Sequence, residues 1–218
     1  MLVERSMHPQ YLSNAYLVAD EEGGRALFVD SGAPLERLLA AAKAWRVEPE
    51  LVLRTHSHHD HTENESELGL PVQTGPVEVG RMRVEALPTP GHSDDMVAFV
   101  VNSEIVFTGD TLFKDSVGGG TFDEIRRSVM DVLMKLDAQT RVCPGHTDET
   151  TIGREWEENP FVRVWRGVEP EGRTTVRVAG EDATLIVWSP DYDGGGKAWV
   201  RFADGRDAIV GGSRVQRT

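Results

Sequence analysis

The sequence has only one cysteine, Cys143, among its 218 residues, so an intrachain disulfide is impossible. This is typical of proteins kept in a reducing cytoplasm, and we expect a cytoplasmic location. No apolar stretch approaches the roughly 18 residues that a membrane span requires. The N-terminus also lacks a basic segment followed by an apolar run. We therefore expect neither a signal peptide nor a membrane protein.

Basic residues are scarce, with 23 Lys and Arg against 36 Asp and Glu and a net charge of -13. This acidity disfavours nonspecific binding of nucleic acid or of anionic lipid, and we expect no partner of either kind. The imbalance is confined to the first part of the chain, because residues 166–218 contain eight basic and eight acidic residues. The contrast predicts two modules, residues 1–165 and residues 166–218.

Histidine is concentrated, since four of the seven histidines lie within six consecutive residues. The apolar run Leu51–Leu53 just before them predicts a buried strand. Alternation along a strand end places the side chains of His56 and His58 on one face. Asp60 and His61 follow where the chain must turn. Imidazole and carboxylate together favour Zn²⁺, Fe or Mn²⁺, and Zn²⁺ is the default ion for a histidine-rich site.

Three further candidate ligands each follow a glycine in a turn sequence: His92, Asp110 and His146. Seven candidates are too many for one tetrahedral ion and suit two ions that share a carboxylate. The assignment we expect has three ligands for each ion and one bridge: His56, His58 and His146; Asp60, His61 and His92; and Asp110 between them. Asp60 and Asp110 are the candidate catalytic carboxylates. A hydroxide held by the ions would attack an activated carbonyl of a small-molecule substrate.

The remaining candidates are weaker. His59 lies between the spaced pairs, and we expect it to point away from the metals. His8 has no other ligand type near it in the sequence, and Cys143 closes an apolar strand, which is more typical of a core residue. A purely structural metal site is disfavoured because such sites are usually closed by four ligands that often include cysteine. The sequence carries no signal for an oligomeric state.

Strand-like and helix-like segments alternate up to about residue 165. Residues Thr121–Glu124 have the pattern of a capping box, and an apolar stripe from Ile125 to Leu136 predicts a helix that packs on the core. The tail has strand-like segments at residues 174–179, 183–188, 197–202 and 208–210, separated by Asp- and Gly-rich turns. It is predicted to form a small all-β module, and the form we expect is a five-stranded SH3-like barrel.

The segment Thr55–His61 resembles the THxHxDH signature of the metallo-β-lactamase fold. Glycine followed by His92, Asp110 and His146 then occurs in the order of that superfamily. The resemblance covers roughly residues 2–165 and implies an α/β protein, a four-layer αβ/βα sandwich with metals at one edge of two facing sheets. The segment Phe28–Gly32 is similar to an early strand-end motif of the superfamily, which implies that Asp30 supports the ligands from behind.

Within the superfamily, residues Pro88–Ser93 and Phe107–Phe113 are most similar to glyoxalase II-like hydrolases. That branch commonly has a helical C-terminal domain and a Gly-Cys-Gly-Arg stretch, whereas here the tail is predicted to be β and residues 114–120 lack the stretch. The resemblance therefore implies a hydrolase of thioesters or related esters without implying glutathione as the thiol.

Two other enzymes of the same fold compete with this prediction. One is a mononuclear iron persulfide dioxygenase, in which His56, His146 and Asp110 would form a facial triad. The other is a lactonase, because a metal-activated hydroxide attacks any activated carbonyl. A non-catalytic protein whose β tail binds a partner is the alternative from a different class.

Overall fold

The N-terminal third of the chain forms one mixed β-sheet in the computed structural model, which describes residues 1–217. Its strands are β1 (Leu2–Met7), β2 (Asn14–Ala19), β3 (Arg25–Val29), β4 (Glu48–Leu53) and β5 (Val72–Gln73), and they lie in that order. Strands β1 to β3 are antiparallel, and β3, β4 and β5 are parallel. The helix α1 (Glu36–Trp45) makes the crossover between β3 and β4.

The middle of the chain forms a second, six-stranded sheet. Its first strands are β6 (Val77–Val79), β7 (Met82–Pro88), β8 (Val97–Val101) and β9 (Ile105–Gly109). A short hairpin follows, with β10 (Leu112–Phe113) and β11 (Ser116–Val117), before β12 (Arg141–Pro144) and β13 (Thr150–Thr151) complete the sheet. The strand order is β13-β12-β9-β8-β7-β6.

Apolar residues of both sheets fill the space between them, among them Leu53 of the first sheet and Phe99 and Phe107 of the second. The first sheet packs its other face on α1, and the second packs its other face on helices. The other helices are α2 (His59–Thr62), α3 (Glu65–Leu68), α4 (Phe122–Arg127), α5 (Ile152–Glu158) and α6 (Pro160–Trp165). These layers confirm the predicted αβ/βα sandwich.

The capping box predicted at Thr121 is not formed, although α4 begins where the pattern placed it. Thr121 is the N-cap residue, and its side chain makes no capping hydrogen bond. Its backbone N–H donates to Gly91 O at 2.9 Å, so the side chain of Glu124 has no donor to accept from. The helix continues as a π turn (Ser128–Val132) and a 3-10 turn (Leu133–Lys135).

The tail forms a five-stranded antiparallel sheet, as its β-rich pattern predicted. Its strands are β14 (Thr174–Val178), β15 (Glu181–Ser189), β16 (Lys197–Phe202), β17 (Asp207–Gly211) and β18 (Val215–Arg217), in the order β17-β16-β15-β14-β18. A 3-10 turn (Gly212–Arg214) precedes β18. The final residue of the predicted tail module, Thr218, lies outside the described residues.

The tail sheet shares a hydrophobic core with the helices of the sandwich. Ile186, Trp199 and Ile209 of the tail lie in the same buried cluster as Ile125 and Phe161. The module boundary at residue 166 therefore stays a prediction, since a shared core couples the two parts. Within residues 1–217, none of the helices has the length and apolar character needed to cross a membrane.

Candidate metal centre

The candidate ligands lie where strands of both sheets end at one edge of the sandwich. Strands β7, β9 and β12 run in the same direction, because β8 is antiparallel to β7 and β9 while β12 is parallel to β9. Their C-terminal ends therefore meet at one edge of the second sheet. His92 follows β7, Asp110 follows β9 and His146 follows β12. The histidine cluster follows β4 of the first sheet and faces them from the other side.

The structure brings all seven predicted ligands together, but it sorts them differently from the expected assignment. Three sets of possible ligand atoms lie within 4.8 Å of one another: His56, His58 and His92; His56, His61 and Asp110; and Asp60, His61 and His146. The assignment of His146 to the set of His56 and His58 was therefore wrong, as was that of His92 to the other set. In the structure these two histidines are exchanged between the sets. The reason is the strand order, which puts β7 and β12 on opposite sides of β9.

Asp110 lies between the two outer sets. Its Oδ1 is 3.4 Å from His61 Nε2, and its Oδ2 is 3.5 Å from His92 Nε2 and 3.3 Å from His146 Nε2. The side chain of Asp110 is almost fully buried. A carboxylate in this position faces both sets at once.

Hydrogen bonds behind the ligands orient the imidazole rings. The Nδ1–H groups of three histidines donate to fixed acceptors: His61 to Asp30 Oδ2 (2.9 Å), His92 to Gly119 O (2.9 Å) and His146 to Leu12 O (3.0 Å). Each bond leaves the lone pair of Nε2 directed into the site. Asp30 thus occupies the supporting position that the sequence resemblance implied for it.

His56 is oriented through the same carboxylate. The Thr55 hydroxyl donates to Asp30 Oδ2 at 2.8 Å and lies 3.0 Å from His56 Nδ1. Since that hydroxyl proton is already used, His56 Nδ1–H must be the donor to Thr55. His58 is turned the other way, with Nδ1 3.1 Å from His56 Nε2 and 3.0 Å from His92 Nε2. Three ring nitrogens therefore converge on one point.

Burial and nearby charges shift the pKa values of several of these groups. Burial lowers the pKa of His56 to about 4 and also lowers the pKa of His92, so both are neutral near pH 7. Burial alone would raise the pKa of Asp110, but His146 and His61 lower it well below its usual value. For His61, burial opposes the charge, yet Asp110 and Asp30 raise its pKa well above the usual range.

The donor set fits divalent cations. His61 Nε2 and Asp110 Oδ1 are buried and have no hydrogen-bond partner within residues 1–217, although buried polar atoms are nearly always satisfied. The other atoms that face them are imidazole nitrogens and the carboxylate of Asp60, the ligands of catalytic zinc and iron sites. A cation between the two atoms would take the place of the His61 Nε2 proton.

The turn that carries His146 is held by the β1–β2 region of the first sheet. The Asn14 amide donates to Pro144 O at 3.0 Å and to Thr147 O at 2.9 Å, and the Tyr16 hydroxyl donates to Pro144 O at 2.8 Å. Between them, Gly145 lies so close to the ligands that a Cβ there would collide with Asp110 Oδ1 and come within 2.8 Å of His61 Cε1.

Replacing Gly145 by alanine should therefore lower the affinity for metal by about 10- to 100-fold, because the added methyl group displaces two ligand side chains. Competition titration with a chromogenic chelator measures this affinity. Gly75→Ala is the matched control, since a Cβ at Gly75 meets no atom within 4 Å. Equal metal affinity of the two variants would contradict the packing argument.

The three residues that the sequence analysis judged to be weaker ligand candidates lie outside the ligand sets. The side chain of His59 is 69% exposed and belongs to none of the three ligand sets, as expected. His8 stacks on Tyr11, away from the ligands that cluster in the three sets. Cys143 is buried between the two sheets, and this burial raises the pKa of its thiol to about 12. A buried thiol of this kind is a core residue.

Tyr192 in the tail is a site residue that the sequence did not predict. Its ring stacks on the imidazole of His146, with 3.9 Å between ring centroids and 9° between ring planes. Phe113 contacts the same imidazole edge-on at 5.7 Å. The Asp- and Gly-rich sequence around Tyr192 is typical of any exposed turn, so no local signal marked it.

No family model matches the sequence. The chain is 31% identical over 193 residues to an uncharacterized protein of Aquifex aeolicus, an alignment that covers 68% of this chain and 90% of the relative. Among solved structures, TTHA1623 in a di-iron-bound form is 31% identical, with a TM-score of 0.59 over 72% of this chain and 98% of that one.

Two other solved structures share the fold. ETHE1 from Myxococcus xanthus is 26% identical, with a TM-score of 0.64 over 74% of this chain and 84% of that one. The BLEG-1 B3 metallo-β-lactamase is 23% identical, with a TM-score of 0.67 over 74% of this chain and 99% of that one. These alignments leave about a quarter of the present chain unmatched.

Proposed function

The chain has the metallo-β-lactamase fold, and on that premise we propose that it is a binuclear metallohydrolase that cleaves a thioester or related ester. The observation that carries the proposal is the position of Asp110, whose carboxylate lies 3.5 Å from His92 in one ligand set and 3.3–3.4 Å from His146 and His61 in the other. A single-ion site would need four protein ligands at most, and seven converge here.

His56, His58 and His92 would hold one ion, Asp60, His61 and His146 the other, and Asp110 both. When bound, divalent ions supply a water molecule of lowered pKa and polarisation of the substrate carbonyl. Zinc is the default ion for these donors, and the di-iron form of the 31% identical TTHA1623 makes iron the first alternative.

The residues of the chain itself contribute orientation and charge. Asp30 holds His61, and through Thr55 it also holds His56, so one buried carboxylate fixes a ring in each set. Asp110 keeps its negative charge because the pKa of its carboxyl is well below the usual value. A carboxylate that stays charged in this position would help to hold divalent cations.

The buried, unpaired Cys143 supports a reducing, cytoplasmic location.

Metal analysis combined with a substrate panel tests this function. We expect about two ions per chain in protein loaded with zinc or iron, and hydrolysis of small thioesters without oxygen uptake. Chelation should abolish the activity, and adding back the metal should restore it. Full activity with one ion per chain would contradict the binuclear centre.

The same panel separates the competing enzymes. Oxygen consumption with a low-molecular-weight persulfide, in place of thioester cleavage, would identify a dioxygenase. Faster turnover of lactones than of thioesters would identify a lactonase. Both alternative reactions would use metal at the same edge of the sandwich, although a mononuclear dioxygenase would need only three of the seven ligands.

A further inference from the structure

A recess of about 340 Å³ opens beside the metal centre. Tyr192 forms one wall, and the same Tyr192 ring stacks on the imidazole of His146, so the recess begins where the second ligand set ends. Met7 at the end of β1 and Leu12 in the β1–β2 connection are apolar residues of its lining, and Lys114 also lines it. Nothing in the proposed reaction uses this space so far.

The tail loop that carries Tyr192 is firmly attached. Asp191 and Lys197 form an ion pair at 2.9 Å, with side chains only 3% and 10% exposed. The Ser189 hydroxyl donates to the Ser116 hydroxyl at 3.1 Å, which ties the start of the loop to the β10–β11 hairpin. The ring of Tyr192 is therefore a fixed wall of the recess.

The opposite side of the recess is fixed as well. Thr147 has a φ of 69°, a left-handed conformation that costs energy for a β-branched residue. Its carbonyl accepts hydrogen bonds from Asn14 and Arg5, which retain it in that conformation. The backbone N–H of Asp115, next to Lys114, donates to the buried carboxylate of Glu155 at 2.8 Å.

The charges around the recess leave one cation unmatched. Asp115 pairs with Arg154 at 2.8 Å, and Asp148 pairs with Arg5 at 3.1 Å, so the two lining carboxylates are already neutralised. Lys114 is half-buried and forms no ion pair with any residue in the described part of the chain, 1–217.

We propose that this recess binds an anionic arm of the substrate, with Lys114 paired to its carboxylate and with Tyr192, Met7 and Leu12 against its short aliphatic chain. The proposal rests on the function proposed above, since it names the class of thioester or ester that fits the site. It places the C-terminal sheet in substrate recognition, because that sheet supplies the wall next to His146.

Paired substrates test the proposal by steady-state kinetics. One pair is the succinyl and butyryl thioesters of the same uncharged thiol, and the other is the butyryl thioesters of mercaptoacetate and ethanethiol. The first pair carries the carboxylate on the acyl group and the second carries it on the thiol, so the effect is expected in only one of them. In that pair, Lys114→Ala should raise KM for the anionic member by about tenfold and for the neutral member by less than about twofold, with kcat unchanged. Lys114→Arg should retain the preference, and Lys135→Ala, at an exposed lysine elsewhere, is the control.

The contribution of the Tyr192 ring to substrate binding is tested in the same assay. Tyr192→Phe should preserve the binding of the anionic member, because the stacked ring remains, whereas Tyr192→Ala should raise its KM. A variant Lys114→Ala that changes both members of each pair equally, or changes neither, overturns the proposal.

Binding without turnover keeps the two proposals separate. Isothermal titration of the metal-loaded protein with succinate should show affinity about tenfold above that for its uncharged analogue succinamide, and Lys114→Ala should remove the difference. If the wild type cleaves no thioester but retains this Lys114-dependent affinity, the hydrolase proposal fails and the recess stands. If succinate and succinamide bind alike in the wild type, the recess proposal fails whatever the activity.

Discussion

Asp110→Asn should lower kcat/KM for a thioester by at least about 10³-fold and reduce the bound metal from two ions to one or none per chain. The amide is the same size as the carboxylate but carries no charge, so it can neither bridge two cations nor balance His61 and His146 around it. Steady-state kinetics and mass-spectrometric metal analysis of the same preparation measure both effects.

His59→Gln is the control for this experiment. His59 lies in the same cluster as the ligands, but its side chain is 69% exposed and belongs to no ligand set, so activity and metal content should stay within about twofold of the wild type. A variant Asp110→Asn that keeps two ions and near-normal turnover would refute the shared carboxylate and, with it, the binuclear centre.

Trp199→Ala should decrease the free energy of unfolding by about 3–5 kcal/mol. The indole is only 4% exposed, its ring packs on Phe122 at 4.8 Å between centroids, and its Nε1–H donates to Asp207 at 2.7 Å. Truncation would open a cavity between the tail sheet and α4 and leave part of the shared core unfilled. Urea unfolding followed by circular dichroism measures the loss.

The number of transitions in the unfolding curve shows whether the tail and the sandwich unfold together. Because Trp199 belongs to a core that also contains Ile125 and Phe161, the wild type should unfold in one transition. Trp188→Ala, which removes a 39% exposed indole from the neighbouring strand β15, should cost no more than about 1 kcal/mol. Two separated transitions, with only the smaller one sensitive to Trp199→Ala, would show that the tail folds as an independent module.

Local sequence was enough to place the ligands at strand ends. The apolar run before His56 predicts a buried strand, and the glycines before His92, Asp110 and His146 predict turns, because both signals depend only on neighbouring residues. The strands duly end there, and all seven ligand candidates lie together. The capping box at Thr121 was wrong for a related reason: Gly91, thirty residues earlier, takes the N–H that the motif needs.

The amino-acid sequence by itself determined which side chains can bind metal, since residue type and period are local properties of the chain. Only the tertiary structure decided how they divide. His92 joins His56 and His58 because the order of strands in the second sheet places β7 and β12 on either side of β9, and that order depends on hydrogen bonds between distant segments. The same holds for Tyr192, which reaches His146 from 46 residues away because two hydrophobic surfaces pack into one core.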